Sequence, residues 1–137
     1  MYVFDAYGTL LDVDAAAREA AAEPGMEALK DQWVAIAKGW RERQLRYSWL
    51  CSMMGRYDDF WELTTRALDA TLEQCGLASS KEIRDRLLSL YGELSAFEEV
   101  PGVLEELKAA GHQLAVLSNA SPSMLKTATE AAGIYHY

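Results

Sequence analysis

The chain opens on Tyr2-Val3-Phe4, a short aromatic and β-branched run that stops at an acid, Asp5, with Gly8 close behind. Such a run reads as a buried strand, and the glycine as turn punctuation. In open α/β sheets the carboxyl ends of strands face the ligand crevice, which puts Asp5 where chemistry is done and Thr9 one turn further on. On these residues alone, an Asp that merely begins a loop turn fits as well.

The 137 residues are half hydrophobic, enough for one core of ordinary size, and the net charge of −8 disfavours nucleic acid and anionic membranes as partners. A small anionic substrate would need a local cationic anchor in so acidic a chain. No apolar run is long enough to span a bilayer, and no signal-peptide pattern is present, so a cytoplasmic location is expected. Cys51 and Cys75 lack metal or redox spacing and read as small buried hydrophobes.

After Asp12 the pattern turns helical. Asp14 is placed to cap an alanine-rich helix, Ala15 to Ala22, closed by Pro24-Gly25. A long amphipathic helix is predicted next, with Met26, Leu29, Trp33, Ile36, Trp40, Gln44 and Tyr47 at helical spacing, ending before Gly55. Another follows Asp58-Asp59, carries Phe60, Leu63, Ala67 and Thr71, and closes at Gly76. Ser79 and Glu82 form a capping-box pattern for a helix with Ile83, Leu87, Leu90 and Leu94. Residues 13–96 are thus all helix, inserted after one strand. Val100-Pro101-Gly102 reads as a loop into a helix capped by Gly111, Gln113 to Leu117 as a second apolar strand, and Ser121-Pro122 as the start of a last helix, Ser123 to Ala132.

The second strand ends at Ser118-Asn119-Ala120-Ser121-Pro122. A hydroxyl beside the backbone N–H groups of a helix start makes an anion site, although the same pattern serves as a plain capped turn. A third constellation, Trp40-Arg41-Glu42-Arg43-Gln44-Leu45-Arg46-Tyr47, lies on the long helix. Arg43 and Arg46 read as a solvated basic face, and Trp33, Trp40 and Trp49 as helix core. His112 and His136 have no plausible ligand partners, and Asp12 and Asp14 read as loop and cap residues, so no metal site is expected.

Asp5-Ala6-Tyr7-Gly8-Thr9-Leu10 resembles the opening motif of the haloacid dehalogenase superfamily, in the form found in its (S)-2-haloacid dehalogenase branch. Phosphatases of that superfamily usually carry a second Asp two residues after the first; here Tyr7 stands there. A departing halide needs no proton, whereas a phosphate-ester leaving group does. The resemblance implies an α/β fold: a Rossmann-like parallel-sheet core over 1–12 and 97–137, incomplete in this chain, interrupted by an all-helical cap over 13–96. It covers essentially the whole chain but only the first half to two-thirds of a typical member. The remainder would hold a catalytic Lys, an acidic motif and more strands.

By the same resemblance Asp5 is the nucleophile, with Thr9 in the catalytic loop. Ser118 binds the substrate carboxylate, Asn119 shapes its loop, and Arg41 reaches over to hold the departing halide or the carboxylate. Ala6 and Tyr7 contact substrate beside Asp5, and Leu45 and Phe60 line an apolar pocket with Tyr7. Glu42 departs from the family, where a neutral polar residue is familiar. The implied reaction is hydrolysis of short (S)-2-haloalkanoic acids to (R)-2-hydroxy acids and halide, through an aspartyl ester and without cofactor or metal, in a homodimer. The rivals are a phosphatase of the same superfamily and a catalytically incomplete piece serving as a binding or assembly module. A two-strand parallel sheet has open edges, so residues 1–137 alone are expected to expose apolar surface and not to turn over a haloacid. Lys126, on the last helix, is not assigned the role of the family's Lys.

Overall fold

A computed structural model describes residues 1–137. Two strands, β1 (Tyr2–Phe4) and β2 (Leu114–Val116), and six helices follow in the order β1, α1 (Ala15–Ala22), α2 (Trp33–Met53), α3 (Phe60–Gln74), α4 (Lys81–Gly92), α5 (Val100–Ala109), β2, α6 (Pro122–Ala131), with a 3-10 turn at Glu27–Leu29. The chain divides into two compact units, one formed by Met1–Val13 with Gly92–Tyr137, the other by Asp14–Tyr91.

In the first unit β1 and β2 pair in parallel, Tyr2 with Leu114, Val3 with Ala115 and Phe4 with Val116. The ladder is extended by Tyr2 N–H to Gln113 O at 2.9 Å and Leu117 N–H to Phe4 O at 2.8 Å. Parallel pairing needs a crossover, and α5 supplies the helix that runs into β2. Val100-Pro101-Gly102, expected as a loop, is instead the first turn of α5. Proline is accommodated there because the first-turn N–H groups have no intrahelical acceptor.

The expected burial of β1 is not found: Tyr2 is 44% and Val3 53% exposed. On the partner side Val116 is 41% and Leu117 75% exposed. A two-strand ladder has two open edges, and within residues 1–137 little packs against these side chains.

The segments that leave and re-enter this unit are bonded to each other. Asp12 N–H donates to Ser95 O at 2.9 Å, Phe97 N–H to Leu10 O at 3.2 Å, and Leu11 bridges Ala96 antiparallel.

The second unit is helical throughout. Helix α1 shows a face of Ala16, Ala17 and Ala20, all buried, and packs on α2. Asp14 precedes α1 in helical conformation and makes no side-chain cap bond, so its expected capping role is not realised. The long helix begins at Trp33 rather than Met26, because Glu27–Leu29 closes as a 3-10 turn; Leu29 remains fully buried. Asp59 caps α3 by accepting from Trp61 N–H at 2.8 Å, as its position predicts. Helix α3 ends where Gly76, at φ 73°, donates to Glu73 O at 3.1 Å and Leu77 N–H reaches back to Leu72 O at 2.8 Å. Helix α4 starts at Lys81, so the residue at its cap position is Ser80, one beyond the expected Ser79.

Helices α2 and α3 form the main packed pair. A Cβ on Gly39 would lie 3.0 Å from Arg43 Nη1 and 3.3 Å from Thr71 Cγ2, so the absence of a side chain lets α2 approach α3. Arg43 is no solvated basic residue: it donates to Gly39 O at 3.2 Å, to Thr71 Oγ1 at 3.4 Å and to Gln74 Oε1, tying the two helices. Trp40 is core, as expected, but Trp33 is half-buried and Trp49 is 62% exposed near the end of α2. Cys51 and Cys75 are half-buried and free.

Leu68 is fully buried on α3. Leu68→Ala should cost about 2–5 kcal/mol, read as a fall in denaturant midpoint without a change in slope. The Glu23 carboxylate receives Arg86 Nε at 2.8 Å and Nη2 at 2.5 Å. The hydrogen bonds and charge of Arg86 hold Glu23 below its ordinary value of 4.5. A depressed carboxylate contributes stability above its unfolded pKa and loses it as pH falls through the folded one. Wild type should therefore exceed Glu23→Gln in stability at neutral pH. The gap should close as pH drops below the ordinary carboxylate range in a series of urea melts.

Candidate active site

Each strand of the parallel pair ends in a loop that carries reactive side chains. After Phe4 the chain wraps round the carbonyl of Ala6, which accepts from Thr9 N–H at 3.3 Å and from Leu10 and Leu11 N–H at 2.9 Å each. Gly8 turns the loop at φ 91° and donates to Leu11 O at 2.8 Å. That φ lies where an L side chain is strained, so the position needs glycine. The wrapping leaves Asp5 exposed at the strand end and brings Thr9 Oγ1 to donate to Asp5 Oδ2 at 3.2 Å. One carboxylate oxygen is thus held by a hydroxyl.

Ala6 and Tyr7 are buried beneath the loop. Burial pushes the Tyr7 phenol up to about 12, because the phenolate would lose its hydration. At neutral pH Tyr7 is a neutral group and a far weaker acid than the carboxylic acid whose place it takes.

With Phe4 opposite Val116, the loop after β2 leaves from the same edge of the ladder as the Asp5 loop. Adjacent strands lie about 4.8 Å apart, so the two loops are neighbours. Ser118 is half-buried and its Oγ accepts from Ala120 N–H at 3.3 Å. A hydroxyl that accepts keeps its own hydrogen for donation to an anion. Ser121 caps α6 by accepting from Met124 N–H at 3.3 Å, with Pro122 in the first turn. Two of the N–H groups that the sequence suggested as anion donors are therefore already engaged by the chain's own hydroxyls. Asn119 is exposed in the same loop. Lys126 lies on α6 beside Glu130, 3.8 Å away.

The remaining predicted residues belong to the helical unit. Arg41, half-buried on α2, donates through Nη1 to Gln44 Oε1 at 2.9 Å. With Asp14, Trp33, Lys38 and Glu42 it lines a hollow of about 410 Å³. Glu42 is exposed and 4.0 Å from Lys38, one helical turn away. Leu45 is half-buried on α2, and Phe60 is buried at the start of α3.

Gln44 is the residue whose importance the sequence reading missed. Helical spacing groups it with the apolar stripe of α2, yet a Gln in such a stripe must find partners in the interior. That mismatch was the available signal.

A parallel strand pair with an acid loop and a hydroxyl loop at one edge, interrupted by a helical insert, is an α/β core of Rossmann-like type. The chain belongs to the haloacid dehalogenase-like hydrolases, whose family model matches residues 1–137. It is 48% identical over 132 residues to (S)-2-haloacid dehalogenase 1 of Pseudomonas sp. strain CBS-3, covering 96% of this chain and 56% of that protein. A crystal structure of a dehalogenase superposes with TM-score 0.89 at 44% identity, over 98% of this chain and 57% of that one. The L-2-haloacid dehalogenase of Xanthobacter autotrophicus with chloropropionic acid covalently bound superposes with TM-score 0.80 at 38% identity, over 98% and 52%. The chain spans about half the length of the curated relatives it matches.

In a titration followed by tyrosinate absorbance, Tyr7→Phe should remove a late transition near pH 12 and leave the change around pH 10 intact. Loss of amplitude near pH 10 would mean that the Tyr7 phenol is hydrated.

Proposed function

We propose that these residues serve the hydrolysis of short (S)-2-haloalkanoic acids to (R)-2-hydroxy acids and halide, in the cytoplasm. The observation that carries the reading is the strand-end pairing: an exposed Asp5 held at one oxygen by Thr9, with the Ser118 loop on the neighbouring strand. The covalently bound chloropropionic acid of the Xanthobacter relative supports an ester route. With Oδ2 engaged by Thr9, Oδ1 attacks the halide-bearing carbon from the back. A C–O bond forms, the C–halogen bond breaks, and its electron pair leaves with the halide. Water then adds to the ester carbonyl, the hydroxy acid departs with inverted configuration, and Asp5 is restored.

Ser118 donates to the substrate carboxylate, and Asn119 holds the shape of that loop. Arg41 provides the planar cation for the departing halide or the carboxylate, the local anchor that an anion needs in a chain of net charge −8. Ala6, Tyr7, Leu45 and Phe60 surround the carbon chain. The helical residues 13–96 act as the cap domain, and residues 1–12 with 97–137 as the core.

The same reading makes the protein a homodimer through its helical unit. Trp49, Met53, Met54 and Tyr57 are exposed together at and just beyond the end of α2, Tyr57 at 89%. Apolar side chains concentrated in this way mark association surfaces.

Because the chain spans about half of its relatives, the test is a chimera in which residues 1–137 replace the matching part of the 48% identical relative. The chimera should release chloride from (S)-2-chloropropionate without added magnesium, and Asp5→Asn should abolish release. A single turnover in oxygen-18 water should label Asp5. Label found directly in the hydroxy acid would mean that water attacks the carbon, and an absolute magnesium requirement would favour phosphatase-type chemistry.

A further inference from the structure

Gln44 lies on α2 with 1% of its surface exposed, against Thr64 and Tyr91. Its Nε2 donates to Thr64 Oγ1 at 2.7 Å and to Tyr91 OH at 2.8 Å, and its Oε1 accepts from Arg41 Nη1 at 2.9 Å. The direction of these bonds is fixed by bookkeeping of hydrogens. The single hydroxyl hydrogen of Thr64 is given to Phe60 O at 2.7 Å. Thr64 Oγ1 can therefore only accept from Gln44, so the amide must turn its NH2 inward and its oxygen toward Arg41.

The two interior partners, Thr64 and Tyr91, are themselves held. Thr64 is fully buried, and its carbonyl accepts from Trp40 Nε1 at 2.8 Å. Tyr91 is buried on α4, with its ring 4.8 Å from that of Trp40. Residues of α2, α3 and α4 thus converge on one amide, and the amide presents one oxygen to one guanidinium.

We propose that Gln44 is the positioning residue for Arg41: it fixes the plane of the guanidinium, and Thr64 and Tyr91 fix Gln44. A side chain as long as arginine explores many rotamers at a half-exposed helical site, and a fork that binds a carboxylate or halide works only in one plane. The amide replaces that search with a bond set by the interior of the helical unit. The value of this for catalysis rests on the reading of Arg41 as the anion contact; the immobilisation itself does not.

The test separates the two. Nitrogen-15 spectra of the arginine side chains in the 137-residue chain report rotation about the Cζ–N bonds. In wild type the Arg41 Nη signals should be resolved by slow rotation. Gln44→Met, which matches the volume without the oxygen, should speed the rotation about tenfold. Tyr91→Phe, which keeps the ring on Trp40 and deletes one acceptor, should speed it by less. Thr71→Val is the structural control: it removes a buried hydroxyl of α3 that bonds Ala67 O and Arg43 rather than the amide, and should lower thermal stability while leaving Arg41 as in wild type. In the chimera, Gln44→Met should raise KM for (S)-2-chloropropionate about tenfold. Unchanged Arg41 rotation in folded Gln44→Met and Tyr91→Phe, or equal loosening in Thr71→Val, overturns the proposal. Freed rotation with an unmoved KM upholds the positioning and removes Arg41 from the anion site instead.

Discussion

The placement of both strand-end loops in the first unit depends on three pairs of residues in parallel register. Phe4 opposite Val116 sets the Asp5 loop and the Ser118 loop at one edge, and the bond from Leu117 N–H to Phe4 O closes the ladder just where both loops depart. Slippage by one residue would turn each strand's side chains to the opposite face and move Asp5 along the edge relative to Ser118. So short a ladder gains little from its own hydrogen bonds. The exposed Val3 and Leu117 show how much apolar surface stays uncovered around it.

The strand-end acid, the glycine turn and the caps at Asp59 and Ser121 were legible in the sequence because each is a local rule: one residue type answers one backbone requirement. The boundaries of α2 and α5 were not. A 3-10 turn at Glu27–Leu29 keeps Leu29 in helical phase without being helix, and Pro101 is as compatible with a first turn as with a loop. The contacts of Arg43 are not legible, because a guanidinium on a basic helix face looks the same in sequence whether it meets water or Thr71. The exposure of Trp49 is illegible for the converse reason, since periodicity reports the face of a helix and not what lies opposite.

The helical unit resolves a tension in its own interior. An apolar stripe would pack without constraint on rotation, but Gln44 and Thr64 sit inside it and admit only one arrangement of donors and acceptors. Every buried side-chain nitrogen and oxygen has a partner. A fully satisfied polar cluster gives modest net stability and much specificity, because any repacking strands a donor. Glu23 with Arg86 and Asp69 with Arg84 act from the outside, joining segments distant in sequence at half-exposed positions where water weakens the pairing.

The clasp formed by Asp12 with Ser95 and by Leu11 with Ala96 has an evolutionary meaning. An insertion whose two ends already meet imposes almost no loop-closure entropy on its host, and that entropy grows only slowly with the length inserted. The host strand order is indifferent to what hangs from the clasp. Mutation can lengthen, shorten or replace the helical segment while the strand-end loops keep their register. A single ancestral core can in this way acquire new specificities by exchanging one contiguous stretch of gene.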